Sequence, residues 1–278
     1  MLMEVVDNMR LKAADALIGA MESANSIRFA VAFASADGLD KLSSKTTGIL
    51  RKGGYAEFLV GLDLRVTEPS ALWQIYKWSK EYKGASLYCL AEPEKAALYH
   101  PKLYLVEAKQ RILCLVGSSN LTAGGLERNL EINVLLSFPQ DSEPASDLQA
   151  AYTRMKFHPM RVVPNEEFLR LYQELWERAR VSAERHVDAN AASELRAAAG
   201  KLPRPKATRR DLGGWLGMVF DALPEGEFTN QDIYKHEQAF RVRYPENQNI
   251  RAKIRQQLQL LRDLELIEHV GPGRWRKR

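Results

Sequence analysis

Six short, almost continuously apolar runs in the first half of the chain leave few folds open to it. They are IRFAVAF (27–33), AEFLVGLDL (56–64), SLYCLAE (86–92), KLYLVE (102–107), ILCLVG (112–117) and LEINVLLSF (130–138). Short runs of this kind, divided by polar breaks, suit strands that are buried in a sheet. Two stretches have helical spacing instead. EVVDNMRLKAADALIGAMESA (4–24) is one, and EPSALWQIYKWSKEY (68–82) is the other, with Leu72, Ile75, Tyr76 and Trp78 as its apolar positions. ASADGLD (34–40) reads as a loop. Strands of the buried type among helices predict an α/β layered domain.

Asn165 is placed to cap a further helix, with Glu166 and Glu167 in its first turn and Phe168, Leu171, Tyr172, Leu175 and Trp176 on one stripe. ANAASELRAAAG (189–200) extends that helix or forms a second. KLPRPKATRRD (201–211) has two prolines and five basic residues without apolar periodicity, and reads as a linker. At 278 residues the chain is long enough for two domains. The expected division is 1–165, a helical extension with basic linker over 166–212, and a small domain over 213–278.

The last block has its own grammar. GGWLGMVFDAL (213–223) is helical, and Thr229 caps a helix through NQDIYKHEQAFRV (230–242) that YPENQN (244–249) ends. In the next helix Ile250, Ile254, Leu258, Leu261 and Leu264 share one face, while Arg251, Arg255, Gln259 and Arg262 lie on a flank. LIEHVGPGRWRKR (266–278) then reads as two strands around a Gly-Pro-Gly turn. Three helices and a hairpin are the plan of a winged helix. Charge singles out the same region: residues 201–278 hold sixteen Lys+Arg against ten Asp+Glu (+6), and the rest 24 against 25 (−1). A basic module on a near-neutral body points to a polyanion partner.

No apolar run is long enough to span a bilayer, and the acidic start lacks the apolar core of a secretory signal. Cys89 and Cys114 lie inside apolar runs and read as buried free thiols, which fits a cytoplasmic location.

The chemistry concentrates in LYHPKLYLVEAKQRILCLVGSSNLTAGGLERNLEIN (98–133). On a strand His100, Lys102 and Tyr104 share a side, and Pro101 puts this end at an edge or a strand start. A neutral imidazole can attack phosphorus, and an ammonium with an amide donor stabilises charge on the phosphoryl oxygens. Lys102 and Asn120 are of the right type. Gly117 and Ser118 are small enough to let phosphate near the backbone, and a carboxylate such as Glu131 can fix an imidazole tautomer. This set needs neither metal nor cofactor.

The order H-x-K, then G-S-x-N, then N-x-E resembles the phospholipase D superfamily signature, its nuclease branch in particular. IRFAVAFASADGL and EFLVGLDL are similar to that family's first strands, so the resemblance covers about residues 1–160. It implies a layered mixed sheet with flanking helices, His100 as nucleophile, Lys102 and Asn120 as phosphate ligands, and Ser118 and Glu131 in support. The Asp that often follows the lysine by five residues is here Glu107, which is left out of the site. Such enzymes use two copies of the motif, one imidazole attacking and the other protonating the leaving oxygen. This chain has one, because FHPMRVVPN (157–165) carries Met160 where lysine is needed. The resemblance therefore implies a homodimer with the site at its two-fold axis.

Residues 213–278 resemble the C-terminal winged helix of DpnI-type, methyl-directed restriction endonucleases. That resemblance implies double-stranded DNA bearing N6-methyladenine in a GATC context as partner. The expected contacts are Arg251, Lys253, Arg255, Gln256 and Gln259 on the groove-facing helix, and Arg274, Trp275 and Arg276 on the wing, with Lys277 and Arg278 beside them. Trp275 or Trp215 is a candidate for apolar contact with a methylated base. The expected function is a metal-independent DNA endonuclease. The alternatives are a lipid phosphodiesterase and a non-catalytic, dimeric DNA-binding regulator.

Overall fold

The structure is a computed structural model that describes residues 2–62, 66–90, 99–181 and 189–278. Residues 63–64 and 91–92, the tails of two of the apolar runs, lie outside that set. In chain order the elements are β1 (Leu2–Val6), α1 (Ala13–Met21), β2 (Ser26–Val31), α2 (Ala36–Arg51), β3 (Tyr55–Gly61), α3 (Pro69–Glu81), β4 (Ala85–Leu90), β5 (Lys102–Ala108), β6 (Arg111–Gly117), β7 (Asn133–Pro139), α4 (Glu143–Lys156), β8 (Arg161–Val162), α5 (Glu166–Val181) and α6 (Ala189–Gly200). They continue with α7 (Gly214–Asp221), β9 (Glu227–Thr229), α8 (Asn230–Tyr234), α9 (Glu237–Arg243), α10 (Ile250–Asp263), β10 (Ile267–Gly271) and β11 (Arg274–Lys277).

Two compact units result, Met1–Ser137 with His158–Pro205, and Phe138–Phe157 with Lys206–Arg278. In the first, the described strands form one mixed sheet in the order β1-β7-β6-β5-β2-β3-β4-β8. β2, β3 and β4 run parallel, whereas β5 is antiparallel to both β2 and β6. Phe29 pairs with Phe58 on one side and Tyr104 on the other, and Ile27 with Ala56 and Val106. That register aligns apolar side chains on one face. They share a core with Leu17 of α1, Leu39 and Leu42 of α2, Leu72 and Ile75 of α3, Phe168 and Tyr172 of α5, and Leu195 of α6. The layered α/β architecture expected from the sequence is thus present, and both cysteines are free and buried.

Three local expectations change. The start of the supposed helix 4–24 is strand β1, paired antiparallel with β7. Asp7 accepts from the Met9 and Arg10 amides, and Asn8, at φ 61°, accepts from the Ala13 amide. These side-chain bonds make a turn that divides strand from helix. ASADGLD does not remain a loop: Ser35 caps α2 by accepting from the Gly38 amide at 3.2 Å. The helix foreseen over 230–242 divides into α8 and α9, because the His236 amide bonds back to Ile233 in a tighter turn.

The second unit is built on α7, α8, α9, α10 and the sheet β10-β11-β9. Trp215 stacks on Phe240 (5.4 Å) and Tyr244 (4.4 Å), and Ile250, Ile254, Leu258 and Leu261 of α10 close the same core. α4, inside the segment 1–165 expected to be one domain, packs here instead. Its Ser146 hydroxyl accepts from the Trp215 amide at 3.0 Å, and its Thr153 hydroxyl donates to the Asp211 carbonyl at 3.1 Å. Gly214 has φ +52°, and a Cβ there would lie 2.2 Å from Ser146 Oγ, so the contact requires glycine. Lys156 and Asp211 form an ion pair with side chains only 5% and 7% exposed.

Breaking that pair strands a buried charge. Lys156→Met should lower the stability of this unit by about 3–5 kcal/mol, read as a lower urea midpoint, and Asp211→Leu added to it should recover most of the loss. Burial opposes ionisation of Asp211, but Lys156, followed by Thr208, more than offsets it and holds the carboxyl below its ordinary 3.8. The folded form therefore favours the carboxylate. Its contribution is complete above pH 3.8 and should fade as pH falls through the depressed value, a loss absent from the double variant in acid titration.

Candidate active site

The ends of β2 and β6 and the starts of β5 and β7 meet at one end of the first unit's sheet, among its interior strands. β2 ends where β5 begins, with Val31 opposite Lys102 and the Ala32 amide donating to the Pro101 carbonyl at 2.9 Å. Val116, near the end of β6, pairs with Leu103 of β5, and the chain then enters Gly117–Ser118–Ser119–Asn120. Ala34 and Leu121 form a parallel bridge that brings this turn beside the residues following β2. A Cβ on Gly117 would fall 2.3 Å from the Ile132 carbonyl oxygen. The small residue is therefore needed so that the 131–133 backbone can pass, a different reason from phosphate approach.

His100 lies just before β5 and is exposed, whereas Lys102, the first residue of the strand, is 7% exposed. The Lys102 ammonium lies 2.7 Å from His100 Nδ1 and 2.9 Å from Nε2, and donates to the His100 carbonyl at 3.2 Å. Desolvation, reinforced by this cation, holds the His100 imidazole below its ordinary pKa. Burial likewise lowers Lys102, while the Glu131 carboxylate acts in the opposite sense. The Phe33 ring packs edge-on against His100 at 5.5 Å, and the Lys102 ammonium lies 5.8 Å from its centroid.

The Phe33 amide donates to Asn120 Oδ1 at 3.3 Å, which leaves the Nδ2 end of that amide as its donor side. The Ser118 hydroxyl donates to Glu131 Oε2 and accepts from the Ile132 amide at 2.9 Å; Asn129 Nδ2 donates to Glu131 Oε1 at 3.3 Å. Glu131 thus holds Ser118 within its own chain and does not bond His100. Ser119, between two candidate residues, is clamped on every side. Its amide donates to Asn133 Oδ1 (3.0 Å), its hydroxyl accepts from Asn133 Nδ2 (2.9 Å), and its carbonyl accepts from the Tyr104 hydroxyl (2.9 Å).

The structure so links His100 with Lys102 and, through Phe33, with Asn120, and Ser118 with Glu131. An imidazole of lowered pKa, an ammonium against it and an amide donor make a set able to attack an anionic phosphorus centre and hold the charge that builds there. Among the described residues, no group of three or more His, Cys, Asp or Glu side chains is placed to hold a metal ion. Phe33 and Asn133 were not foreseen. An asparagine opening an apolar run is a signal that could have found Asn133; Phe33 leaves none, because its bond to Asn120 comes from the backbone.

The expected DNA contacts fare unevenly. Arg251, Arg255, Gln256, Gln259, Arg274 and Arg276 are exposed. Lys253 faces α4, paired with Asp147 at 3.3 Å. Trp275 is 7% exposed, packs against His269 at 4.9 Å, and donates through Nε1 to Asn230 at 2.8 Å. Trp215 is fully buried. Both indoles are core residues here, because each carries too much apolar area for this small unit to leave uncovered.

Residues 67–155 match the family model described as "Cardiolipin synthase, PLD-like domain", and residues 213–277 match "Dam-replacing HTH domain", the DpnI C-terminal family. Among solved structures the chain is similar to NucT from Helicobacter pylori, at 15% identity over 55% of this chain and 94% of that one, with a TM-score of 0.43. It is also similar to phosphatidylserine synthase from Haemophilus influenzae Rd KW20 (13%, 65% and 46%, TM-score 0.46), and to Nuc, a phospholipase D family member from Salmonella typhimurium (16%, 64% and 92%, TM-score 0.36). By the two family matches, the chain carries a phospholipase D-like domain and, carboxy-terminal to it, a DpnI-type helix-turn-helix domain.

Proposed function

We propose that the protein is a DNA endonuclease whose nucleophile is His100. The observation that carries this reading is the Lys102 ammonium set against an imidazole of lowered pKa, in a chain that also holds a basic helix-turn-helix domain. The neutral imidazole attacks the phosphorus of a phosphodiester; a P–N bond forms and the bond to the leaving oxygen breaks. Lys102 and Asn120 stabilise the phosphoryl oxygens. A second, protonated imidazole gives its proton to the leaving oxygen, then takes one from the water that hydrolyses the phosphohistidine. No step calls on a metal ion.

The chain has one such histidine, so the second comes from a second copy, and the working form is a homodimer. Val116, Leu130 (83% exposed) and Ile132 (68%) flank Ser118 and Glu131, and Met3 and Val5 are exposed on β1. Exposed apolar side chains beside a half-complete site and on the neighbouring β1 suit a surface that a second copy covers. The same chemistry serves lipid phosphodiesters, but a basic helix-turn-helix domain favours DNA. No described helix is long and apolar enough to cross a membrane. The DpnI-type domain is the ground for proposing N6-methyladenine in a GATC context as the target. Two buried free thiols fit a cytoplasmic setting.

Three measurements test this. Plasmid methylated at GATC should be cut in excess chelator in preference to unmethylated plasmid, and His100→Ala should cut neither; loss of cutting in chelator would sink the metal-free step. Active protein should sediment at about 63 kDa, twice the 31.5 kDa chain, and activity confined to the monomer would remove the shared site. The NMR titration midpoint of His100 should lie below 6.5 and rise in Lys102→Met, because removing a cation favours the protonated ring.

A further inference from the structure

The surface shared by α8, α9 and α10 carries a cluster that the active site does not use. The Arg251 guanidinium lies 5.1 Å from the Tyr234 ring centroid and donates to Glu237 at 2.7 Å. Arg255 donates to the Tyr234 hydroxyl at 3.0 Å, and Arg241 donates to the other Glu237 oxygen at 3.1 Å. Two of these cations share the Glu237 carboxylate and the third bonds the Tyr234 hydroxyl, so three guanidiniums and one carboxylate give a local charge of +2. The wing is less positive: Arg274, Arg276, Lys277 and Arg278 face Glu225, Glu227 and Glu268, a balance of +1.

The opposite flank of α10 is closed. Lys253 pairs with Asp147, Arg243 with Asp141 at 3.0 Å, and Asn247 donates to Glu143 at 3.3 Å, so acids from α4 and the turn before it line that side. A polyanion is repelled there and drawn to the Tyr234 side.

We propose that Tyr234, Arg251 and Arg255 form a clamp for the backbone phosphates of duplex DNA, in which Tyr234 positions both guanidiniums. The proposal rests on the reading that this protein binds DNA. Each guanidinium has five N–H donors in a fixed plane. The bonds above use one of them on each arginine, which leaves edges able to make paired bonds to phosphate. The Tyr234 ring face and Glu237 hold Arg251, and the Tyr234 hydroxyl holds Arg255, before DNA arrives, so less rotamer freedom is lost on binding. The Tyr234 hydroxyl accepts from Arg255 and keeps its own proton to donate.

The test is duplex binding by the non-cleaving, full-length His100→Ala chain, followed by fluorescence anisotropy across a salt series. Tyr234→Ala and Arg255→Ala should each weaken binding by about 10-fold and flatten the slope of log K against log salt by about one unit. Tyr234→Phe, which keeps the stacked ring and so guards against a folding defect, should weaken it by about 3-fold, and Lys253→Ala by less than about 2-fold. The losses should be alike on duplexes of different sequence. Parent-like binding by Tyr234→Phe and Arg255→Ala together, a larger loss in Lys253→Ala than in Arg255→Ala, or a loss confined to one sequence would each overturn the clamp. Failure of the parent to bind any duplex would bring down the DNA reading as well, so the two failures are distinguishable.

Discussion

The site depends on a single buried amide. Asn133, at the start of β7, bonds both the amide and the hydroxyl of Ser119, and its Nδ2 also donates to the Val6 carbonyl at 3.2 Å. One side chain so ties together β1, β7 and the turn that follows β6. Ser118 and Asn120 are the immediate neighbours of Ser119, and their directions follow from how that residue is held. Each such bond is worth about 1 kcal/mol net, but a buried polar group left without its partner costs about 1–3 kcal/mol. The arrangement is therefore cooperative, since loss of Asn133 would strand the Ser119 amide, its hydroxyl and the Val6 carbonyl at once.

Electrostatics then divides the work. Lys102 is buried beside an exposed imidazole, so its charge is poorly screened and acts on His100 at close range. Glu131 draws the other way on Lys102 while spending its own oxygens on Ser118 and Asn129. The result is a cation and an imidazole in close contact, each held below its ordinary pKa by burial, with Lys102 lowering His100 further and Glu131 opposing the shift on Lys102.

Much of this was legible in the sequence, and the unread parts share a cause. Buried-type runs became β2 to β7 because continuous apolar character is a property of the segment itself. The spacing of His100, Lys102, Ser118 and Asn120 likewise survives in one dimension. Residues 4–8 were misread because Val5 and Val6 fit a helical stripe as well as a strand, and only pairing with β7 decides between them. Ser35 was passed over because a cap is read against the helix it starts, and the apolar signal of α2 is weak. Trp275 looked like a reader of bases because arginines flank it, yet alternation along a strand sends Trp275 inward and its neighbours outward. Phe33 had no chance of being found, since a main-chain amide leaves no mark on the residue that carries it.

α4 has a consequence for how such a chain could have been assembled. The helix follows β7 directly, within the stretch that matches the phospholipase D-like family, yet Ser146, Thr153 and Lys156 find their partners in residues 211–215. α4 thus belongs with the carboxy-terminal unit, although most of it lies in the stretch that matches the phospholipase D-like family. Cutting at the basic linker, or grafting an unrelated domain behind it, would take from Ser146, Thr153 and Lys156 the partners that residues 211–215 supply. A recombination event that exchanged the carboxy-terminal domain would have had to carry α4 along, or rebuild its face one residue at a time.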